Sequence, residues 1–251
     1  LSLRYEPLAV TTSDSVRLDG YWVLPEADTT RGVVVLVHGI GGCKEHFLEL
    51  AQLLAARGIA AIVFDGRAHG RSGGTFCTYG AKEKADVAAI VDAIQQRAPR
   101  WPIGIWGNSM GGAIALQALA HDPRIDFGIV ESTFAELDQI VFDYFNRYLK
   151  GFGLKILSDY GLKRAGELAD FDPDGVKPIE SVRQITQPIF MAHGDADLNI
   201  SVAYGRQLFE ALSSEDKTLE IVAGGGHFDL GQKGGAAYYE KLMAFLERQF
   251  N

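Results

Sequence analysis

The chain has 251 residues, 47% of them hydrophobic, and a formal net charge of −8 at pH 7. This length suits one α/β domain with a large buried core, and the composition argues against a disordered chain. The Lys and Arg residues form no basic cluster or stripe in the sequence. Nucleic acid and an anionic membrane surface are therefore poor partners by this measure.

The cysteines and the apolar runs indicate the cellular compartment in which the protein is expected. Cys43 and Cys77 are too few for a disulfide framework. We expect two reduced thiols in loops near the site, where they are candidates for reactive groups, with a single disulfide as the alternative. The longest apolar run, 33–37, is far too short to cross a bilayer, and no secretory signal pattern is present. These features predict a cytoplasmic location for the chain as given. The chain begins with leucine, which leaves open an N-terminal anchor or signal.

Strand and helix patterns alternate along the chain, which predicts a mostly parallel sheet with helices on both faces. The first two strands, 8–12 and 16–23, flank the turn Ser13-Asp14-Ser15 and predict an antiparallel hairpin. The later strands are continuous apolar runs, as expected for buried parallel strands; they are predicted at 32–38, 60–65, 103–106, 127–131, 188–192 and 219–223. Helical periodicity predicts helices at 46–57, 82–97, 110–121, 202–212 and 236–248. In the second helix a small-residue face is expected against the sheet: Ala85, Ala88, Ala89, Asp92 and Ala93.

One stretch, about 133–185, breaks the alternation because it has no clear strand and is rich in aromatic residues. A long bare loop is uncommon in a compact domain, so a helical insertion over the top of the sheet is the better interpretation. Three of its aromatics, Phe142, Phe145 and Tyr148, are predicted to line an apolar acyl or aryl pocket, with core packing as the alternative. We expect a single domain over 1–251, with this insertion as its cap.

The segment around Ser109 carries the strongest functional pattern. A predicted strand runs into Gly107, and a helical pattern begins directly after the serine. Gly-x-Ser-x-Gly between a strand and a helix is the nucleophile-elbow pattern. Its glycines leave room for a tight turn, in which the serine takes up a strained backbone conformation. We therefore predict Ser109 as a nucleophile; the alternative is a glycine-rich turn with an incidental serine.

A serine hydroxyl is a weak nucleophile and needs a base together with an acid that orients the base. His227 follows the last predicted strand through three glycines, which leave room for a close approach, and it is the predicted base. Asp197 follows the strand that ends near residue 192 and is the predicted acid, with Asp195 as its rival and Glu131 as a third candidate. The chain order serine, aspartate, histidine matches the α/β-hydrolase order.

Two glycine-containing loops follow neighbouring strands. The turn 38–42 can present a backbone N–H to a developing oxyanion, and we predict the N–H groups of Ile40 and Met110 as the two donors. His38 is expected to be a structural residue of this turn. The loop 65–73 is expected to hold a structural hydrogen-bond network among its Arg, His and Ser side chains.

The sequence contains no sign of a cofactor site. Residues 39–44 complete neither the dinucleotide fingerprint nor the phosphate-binding loop. No His and Cys residues cluster at metal-ligand spacing. We therefore expect a protein that works with neither cofactor nor metal.

Five segments in this order resemble the α/β-hydrolase superfamily over about residues 8–250: Val-His-Gly-Ile-Gly at 37–41, Asp-Gly-Arg-Ala-His-Gly-Arg-Ser-Gly at 65–73, Gly-Asn-Ser-Met-Gly-Gly at 107–112, His-Gly-Asp-Ala-Asp at 193–197 and Gly-Gly-His at 225–227. The resemblance is closest to carboxylesterases, monoacylglycerol-lipase-like enzymes, acyl-thioesterases and serine aminopeptidase relatives. It implies an eight-stranded, mostly parallel sheet with an antiparallel second strand and a cap between the sixth and seventh strands. The serine nucleophile differs from that of dehalogenases and dienelactone hydrolases, and the modest cap differs from the lid of large triglyceride lipases.

Together these features predict a serine hydrolase whose partner is a small-molecule acyl substrate. Ser109 would attack an ester or thioester carbonyl, with His227 as the base and Asp197 as the orienting acid. One alternative is an aminopeptidase or amidase in which Glu131 or Glu136 anchors an amine. Another is a binding protein of the same fold. Acyl-chain length, leaving group and oligomeric state stay open.

Overall fold

The computed structural model describes residues 3–26 and 30–250. Its strands are β1 (Tyr5–Thr11), β2 (Arg17–Val23), β3 (Gly32–Val37), β4 (Ile59–Phe64), β5 (Ile103–Asn108), β6 (Phe127–Glu131), β7 (Ile189–Gly194) and β8 (Lys217–Val222). They form one sheet in the order β1-β2-β4-β3-β5-β6-β7-β8. Strand β2 runs antiparallel to β1 and β4, and the remaining neighbours are parallel. The predicted α/β class and the antiparallel second strand are both confirmed.

Helices cover both faces of this sheet: α1 (Leu48–Ala55), α2 (Glu83–Arg97), α3 (Met110–His121), α4 (Leu137–Tyr148), α5 (Lys155–Ala169), α6 (Pro178–Val182), α7 (Val202–Ala211) and α8 (Leu230–Gln249). Strand β3 explains the two layers, because successive side chains of a strand point to opposite faces. Val33 and Val35 join the core with α2, α3, α6 and α7. Val34 and Leu36 join the core with α1 and α8. Among the described residues, no helix has both the length and the apolar character that a membrane crossing requires.

Several predicted bounds are wrong, each for a local reason. The predicted helix 46–57 is a 3-10 turn, Lys44–Phe47, followed by the shorter α1. Helix α8 consists of two helical segments that meet at a kink at Gly235, whose φ of 55° and ψ of −148° are not helical. The predicted start at 236 therefore matches the second segment, and the prediction missed the first segment, which begins at Leu230. The glycines in this region obscured the periodicity of the first turns, because glycine normally weakens a helix.

The predicted small-residue face of α2 is also wrong. The buried face carries Val87, Ile90, Val91 and Ile94. The alanines are half-buried at its sides, and Asp92 is exposed. Both sets have helical spacing, but the branched side chains bury more apolar area and therefore face the sheet.

The connection between β6 and β7 is helical, as predicted. It contains α4, α5, a 3-10 turn at Pro173–Gly175 and α6, and the structure places no strand among these residues. Leu137 and Ile140 of α4 pack with Phe134, Val176 and Ile200 in a separate apolar cluster. Because strands β3 to β8 run parallel, their carboxyl ends lie at the same end of the sheet. This connection begins there, at the carboxyl end of β6.

Candidate active site

A tight turn between β5 and α3 carries Ser109. The serine has φ 55° and ψ −123°, a backbone conformation that residues other than glycine rarely adopt. The neighbouring glycines allow the helix to approach: a Cβ on Gly107 would lie 2.2 Å from the carbonyl oxygen of Gly111, and one on Gly111 would lie 2.0 Å from that of Val37. The turn therefore has no space for side chains at either glycine.

Hydrogen bonds from the end of β6 and from the residues just after it hold the strained residue in place. The Ser109 N–H donates to the carbonyl oxygen of Glu131 at 2.9 Å. The Thr133 hydroxyl donates to the Ser109 carbonyl oxygen at 2.7 Å. A strained backbone persists only where its surroundings fix it, and such residues concentrate at functional sites.

The structure brings the three predicted triad residues into one hydrogen-bonded chain. Nε2 of His227 lies 2.9 Å from Oγ of Ser109, and Nδ1 of His227 lies 2.7 Å from Oδ2 of Asp197. With Nδ1–H donating to the carboxylate, Nε2 is left to accept the serine proton. The histidine side chain is 5% exposed and the aspartate side chain is fully buried, so little water competes for these bonds.

The surroundings of Asp197 keep it ionised. Its Oδ1 accepts the N–H groups of Asn199 at 2.8 Å and Ile200 at 2.9 Å. Burial alone would raise the pKa of Asp197, but hydrogen bonds from His193, His227 and Ile200 outweigh it and hold that pKa well below its usual range. A charged acid is therefore available to the histidine across the neutral pH range.

The two rival acids have other partners. Oδ1 of Asp195 accepts the N–H of Gly224 at 2.7 Å, at the start of the glycine run before the histidine. Glu131 is half-buried beneath the turn, where Trp106 Nε1 donates to it at 2.9 Å and the Tyr238 hydroxyl donates to its other oxygen. Burial raises the pKa of Glu131 in spite of these two donors. Both carboxyl groups support the site's framework in this geometry.

His193 lies next to the acid and was not singled out from the sequence. It is 1% exposed, its Nε2 donates to the Ile200 carbonyl oxygen at 2.9 Å, and the same nitrogen lies 3.5 Å from Oδ2 of Asp197. It therefore fixes the loop that presents the acid. Its place in the segment 193–197 was the only available signal, and the contact with Asp197 needs the folded loop.

The turn 38–42 passes directly beside the serine, because a Cβ on Gly39 would lie 3.2 Å from the Ser109 Cβ. Within the part of the chain that the structure describes, neither the Ile40 N–H nor the Met110 N–H has an acceptor. Met110 is the first residue of α3, where backbone N–H groups have no partner inside the helix. Two free donors thus flank the nucleophile candidate, and their catalytic role stays a prediction.

Two histidines hold this turn. Nε2 of His38 accepts the Gly66 N–H at 2.9 Å, so its proton lies on Nδ1, 2.8 Å from the Gly39 carbonyl oxygen. Burial lowers the pKa of His38, which favours this neutral form. Nε2 of His69 accepts the Gly41 N–H at 3.3 Å. These contacts agree with a structural role for His38.

The loop 65–73 holds internal hydrogen bonds, as predicted, from His69 Nδ1 to the Arg67 carbonyl oxygen at 2.9 Å and from the Ser72 hydroxyl to the Asp65 carbonyl oxygen at 2.5 Å. Its charged side chains, in addition, bind partners outside the loop. Lys44, 1% exposed, binds Asp65 at 2.5 Å and Asp19 at 2.9 Å. Arg67 binds Asp86 at 2.6 Å. Buried charges require partners of opposite sign, and these partners lie too far away in the sequence to be assigned from it.

The predicted pocket aromatics do not share one environment. Phe142 and Phe145 are half-buried, whereas Tyr148 is 85% exposed and lies on the outer surface. A cavity of about 670 Å³ lies elsewhere, between α1 and α8, and His227 and Asn108 are among its lining residues. The pocket assignment of the three aromatics stays a prediction.

Comparisons with known proteins place this geometry in a family. The family model described as "Serine aminopeptidase, S33" matches residues 28–168, more than half of the chain. The chain is 29% identical to the uncharacterized protein YqkD of Bacillus subtilis (strain 168), over 92% of this chain and 75% of that protein. It is 25% identical to the lysophosphatidylserine lipase ABHD12 of Macaca fascicularis over 92% of this chain, and it spans only 58% of that protein.

Solved structures agree with these matches. The esterase Pf2001 of Pyrococcus furiosus superposes with a TM-score of 0.81 at 25% identity, covering 99% of this chain and 92% of that one. Fold, motif order and family match lead to the same superfamily of hydrolases. The chain is an α/β-hydrolase and belongs to the serine aminopeptidase S33 family.

Proposed function

We propose that the protein is a serine hydrolase that cleaves a carboxylic ester or thioester through an acyl-enzyme. One observation carries this proposal: the continuous hydrogen-bonded chain from Ser109 Oγ through His227 to Asp197, with distances of 2.9 and 2.7 Å. This geometry activates a hydroxyl without a metal ion. The domain interpretation, with 133–185 as a cap, is part of the same proposal.

The reaction has two steps, acylation of Ser109 and hydrolysis of the acyl-enzyme. Ser109 Oγ bonds to the carbonyl carbon while Nε2 of His227 takes the hydroxyl proton, and the carbonyl electron pair moves to oxygen. The tetrahedral intermediate then expels the alcohol or thiol, which takes the proton from His227. Water attacks the acyl-serine by the same route, and the carboxylic acid leaves.

Asp197 and the free N–H groups stabilise charge as it develops. The ionised Asp197 holds the imidazole in the required tautomer and stabilises its protonated form. The N–H groups of Ile40 and Met110 bind the oxyanion, and each such donor lowers the barrier by about 3 kcal/mol. The start of α3 adds its positive end to the same position.

An ester is favoured over an amide on two grounds. Similar proteins carry the names esterase and lipase. In addition, both oxygens of Glu131 are occupied by Trp106 and Tyr238, so this carboxyl is a poor anchor for a substrate amine. The family's aminopeptidase description keeps the amide as the alternative, with the half-buried Glu136 as the remaining anchor.

We assign the acyl chain to the cavity between α1 and α8 and not to the region of the three predicted pocket aromatics. Its volume of about 670 Å³ falls in the range of roughly 300–1,000 Å³ that small-molecule sites occupy. Its walls include Phe47, Leu50 and Met243, and it reaches the triad at His227. These apolar side chains suit an acyl group attached to the reacting carbonyl, and the polar part of the lining includes Glu49 and Arg57.

The experiment is a substrate series with matched serine variants. Hydrolysis of p-nitrophenyl esters of increasing chain length, acyl thioesters and amino-acid p-nitroanilides is compared for the wild type, Ser109→Ala and Ser132→Ala. Ser132 is the matched control because it is buried and, among the described residues, its hydroxyl has no hydrogen-bond partner. We expect ester or thioester turnover that only Ser109→Ala abolishes. Turnover of the anilides alone would favour the aminopeptidase, and full ester activity in Ser109→Ala would contradict the mechanism.

A further inference from the structure

The outer side of α4 and α5, residues 144–168, exposes an unusual amount of apolar surface, and we call it the α4–α5 surface. Of fourteen large apolar side chains that are more than a third exposed in the described residues, eight belong to it: Tyr144, Tyr148, Phe152, Leu154, Ile156, Leu157, Tyr160 and Leu168. Tyr148 and Phe152 are each 85% exposed. Exposed apolar side chains that are concentrated in one segment, instead of scattered singly, indicate an interaction site.

Helix α5 exposes large apolar side chains that an ordinary surface helix would bury against the core. Its inward stripe consists of the buried Ser158 and Gly166 with the half-buried Leu162. Ile156 and Tyr160 point outward, 74% and 72% exposed. A helix that only covers a core places its apolar stripe inward, so this sequence is arranged for contact on its outer side.

Among the described residues, the same surface carries lysines without acidic partners in an acidic protein. Five basic side chains lie in 144–168, Arg147, Lys150, Lys155, Lys163 and Arg164, against two acidic ones, Asp159 and Glu167. The net charge of this segment is +3, and it becomes zero over 138–170, where Asp138, Asp143 and Asp170 are added, whereas that of the whole chain is −8. Lys155 and Arg164 pair with nearby carboxylates. In the described part of the chain, Lys150 and Lys163 form no ion pair, which leaves two cations for a partner.

We propose that the α4–α5 surface docks on an anionic lipid surface. Exposed aromatic and aliphatic side chains enter the headgroup boundary, and lysines attract the negative headgroups. A second copy fits less well, because a twofold contact would bring the unpaired lysines of both copies to one interface with no added carboxylate. This proposal reverses the expectation from whole-chain charge, since that total does not show where unpaired lysines lie beside exposed apolar side chains.

The docked surface is joined to the candidate active site. Arg147, at the end of α4, donates to the Asn199 carbonyl oxygen at 2.9 Å, and Asn199 binds Asp197 through its N–H. The residues that follow the acid and the base, Leu198 and Phe228, are 83% and 80% exposed. Docking would bring this apolar rim to the lipid. Resting on the proposed function, the substrate class is then an amphipathic acyl ester that enters from the lipid phase.

Binding is measured by co-sedimentation with vesicles of phosphatidylcholine alone and of an equimolar mixture with phosphatidylglycerol. The wild type, the double variant Phe152→Ser/Ile156→Ser and the matched control Tyr5→Ser are compared, the last being an exposed aromatic outside this surface. We expect binding to the anionic vesicles, at least about tenfold weaker binding for the double variant, and unchanged binding for Tyr5→Ser. Circular dichroism checks that each variant is folded.

A second pair of variants tests the charge. Lys150→Glu/Lys163→Glu should weaken binding to anionic vesicles by tenfold or more, because each basic residue near such a surface contributes about fivefold. Absence of vesicle binding by the wild type would overturn the proposal. So would self-association that Phe152→Ser/Ile156→Ser abolishes, since a second copy would then be the occupant. Because Ser109→Ala should bind vesicles like the wild type, a failed hydrolase proposal and a failed docking proposal give different results.

Discussion

Ser109 shows how backbone strain and hydrogen bonding work together at one residue. Its positive φ turns the hydroxyl out of the strand-to-helix connection, and its backbone is bound by Glu131 at the end of β6 and by Thr133 just after it. The hydroxyl then meets Nε2 of His227, whose other nitrogen is engaged by a carboxylate. No one of these residues is reactive alone, and their arrangement supports the proposed chemistry.

Replacing Asp197 with Asn should lower kcat by about 10⁴-fold, because an amide no longer holds the required histidine tautomer or stabilises its cation. The matched control is Asp195→Asn, which alters a carboxylate bonded to the Gly224 N–H. Steady-state kinetics on an ester should show an effect of tenfold or less for the control. A larger loss for Asp195→Asn than for Asp197→Asn would reverse the assignment.

Cys77 should be a poor nucleophile in the folded protein. Burial, with the nearby Glu83 carboxylate, raises its pKa to about 11, and a raised thiol pKa reduces the thiolate fraction at neutral pH. Iodoacetamide at neutral pH should leave Cys77 unmodified until the protein is denatured, as followed by peptide mass spectrometry. Rapid native labelling of Cys77 would contradict the described environment.

At the scale of elements, the close approach of α3 to β3 fixes the position of the nucleophile. Gly111→Ala places a Cβ 2.0 Å from the Val37 carbonyl oxygen, so we expect about 3 kcal/mol of destabilisation. Gly161→Ala in α5 is the matched control, because a Cβ there meets nothing within 4 Å. It should be neutral or stabilising by about 0.5–1 kcal/mol. Urea unfolding tests both, and equal stabilities would contradict the packing of α3.

The cavity between α1 and α8 gives a second element-scale prediction. Leu50→Trp should fill part of it and raise KM for long-chain p-nitrophenyl esters by tenfold or more, since the lost space would exclude the acyl chain. Hydrolysis of the acetate ester is the internal control and should stay within about twofold. A uniform loss across all chain lengths would point to damage to the triad, and an unchanged series would place the acyl chain elsewhere.

Element types followed from the sequence where one pattern dominated. The run 32–38 could only be a buried strand, and the structure places β3 there. Helix α2 was located correctly, but its face was not, because alanines and branched residues repeat at the same spacing. The orientation was decided by buried area, which depends on the partner surface.

At the scale of the molecule, parallel strands gather distant residues at one edge of the sheet. Ser109 and His227 are 118 positions apart and their side chains meet at 2.9 Å. Motif order could predict this meeting, because each residue follows a strand that ends at the same edge. It could not predict the Lys44 and Asp65 pair or the outer face of α5, since those depend on how loops and helices fold over that edge.

The buried Asp65 should make folding stability depend on acid pH. Burial alone would raise its pKa, but the Arg71 N–H and the Lys44 ammonium hold that pKa below its usual range. A pKa that is lower in the folded state gives stability that is present above about pH 4 and is lost as pH falls further. Because Lys44 keeps its pair with Asp19, Asp65→Asn should destabilise the protein at neutral pH by about 2–3 kcal/mol and flatten this acid dependence.

Urea unfolding at a series of pH values measures this change. Asp159→Asn is the control, because this carboxylate forms an exposed pair with Lys155, and exposed pairs contribute about 1 kcal/mol or less. If the free energy of unfolding of Asp65→Asn falls with decreasing pH as it does in the wild type, the pair of Asp65 with Lys44 does not cause the acid dependence.

The central claim, an acyl-enzyme on Ser109 activated by His227, is tested most directly by covalent labelling with a fluorophosphonate followed by peptide mass spectrometry. The account predicts one adduct, on Ser109, that is absent from Ser109→Ala and strongly reduced in His227→Ala, while Ser132→Ala labels like the wild type. An adduct on another residue, or labelling that persists in Ser109→Ala, would contradict it.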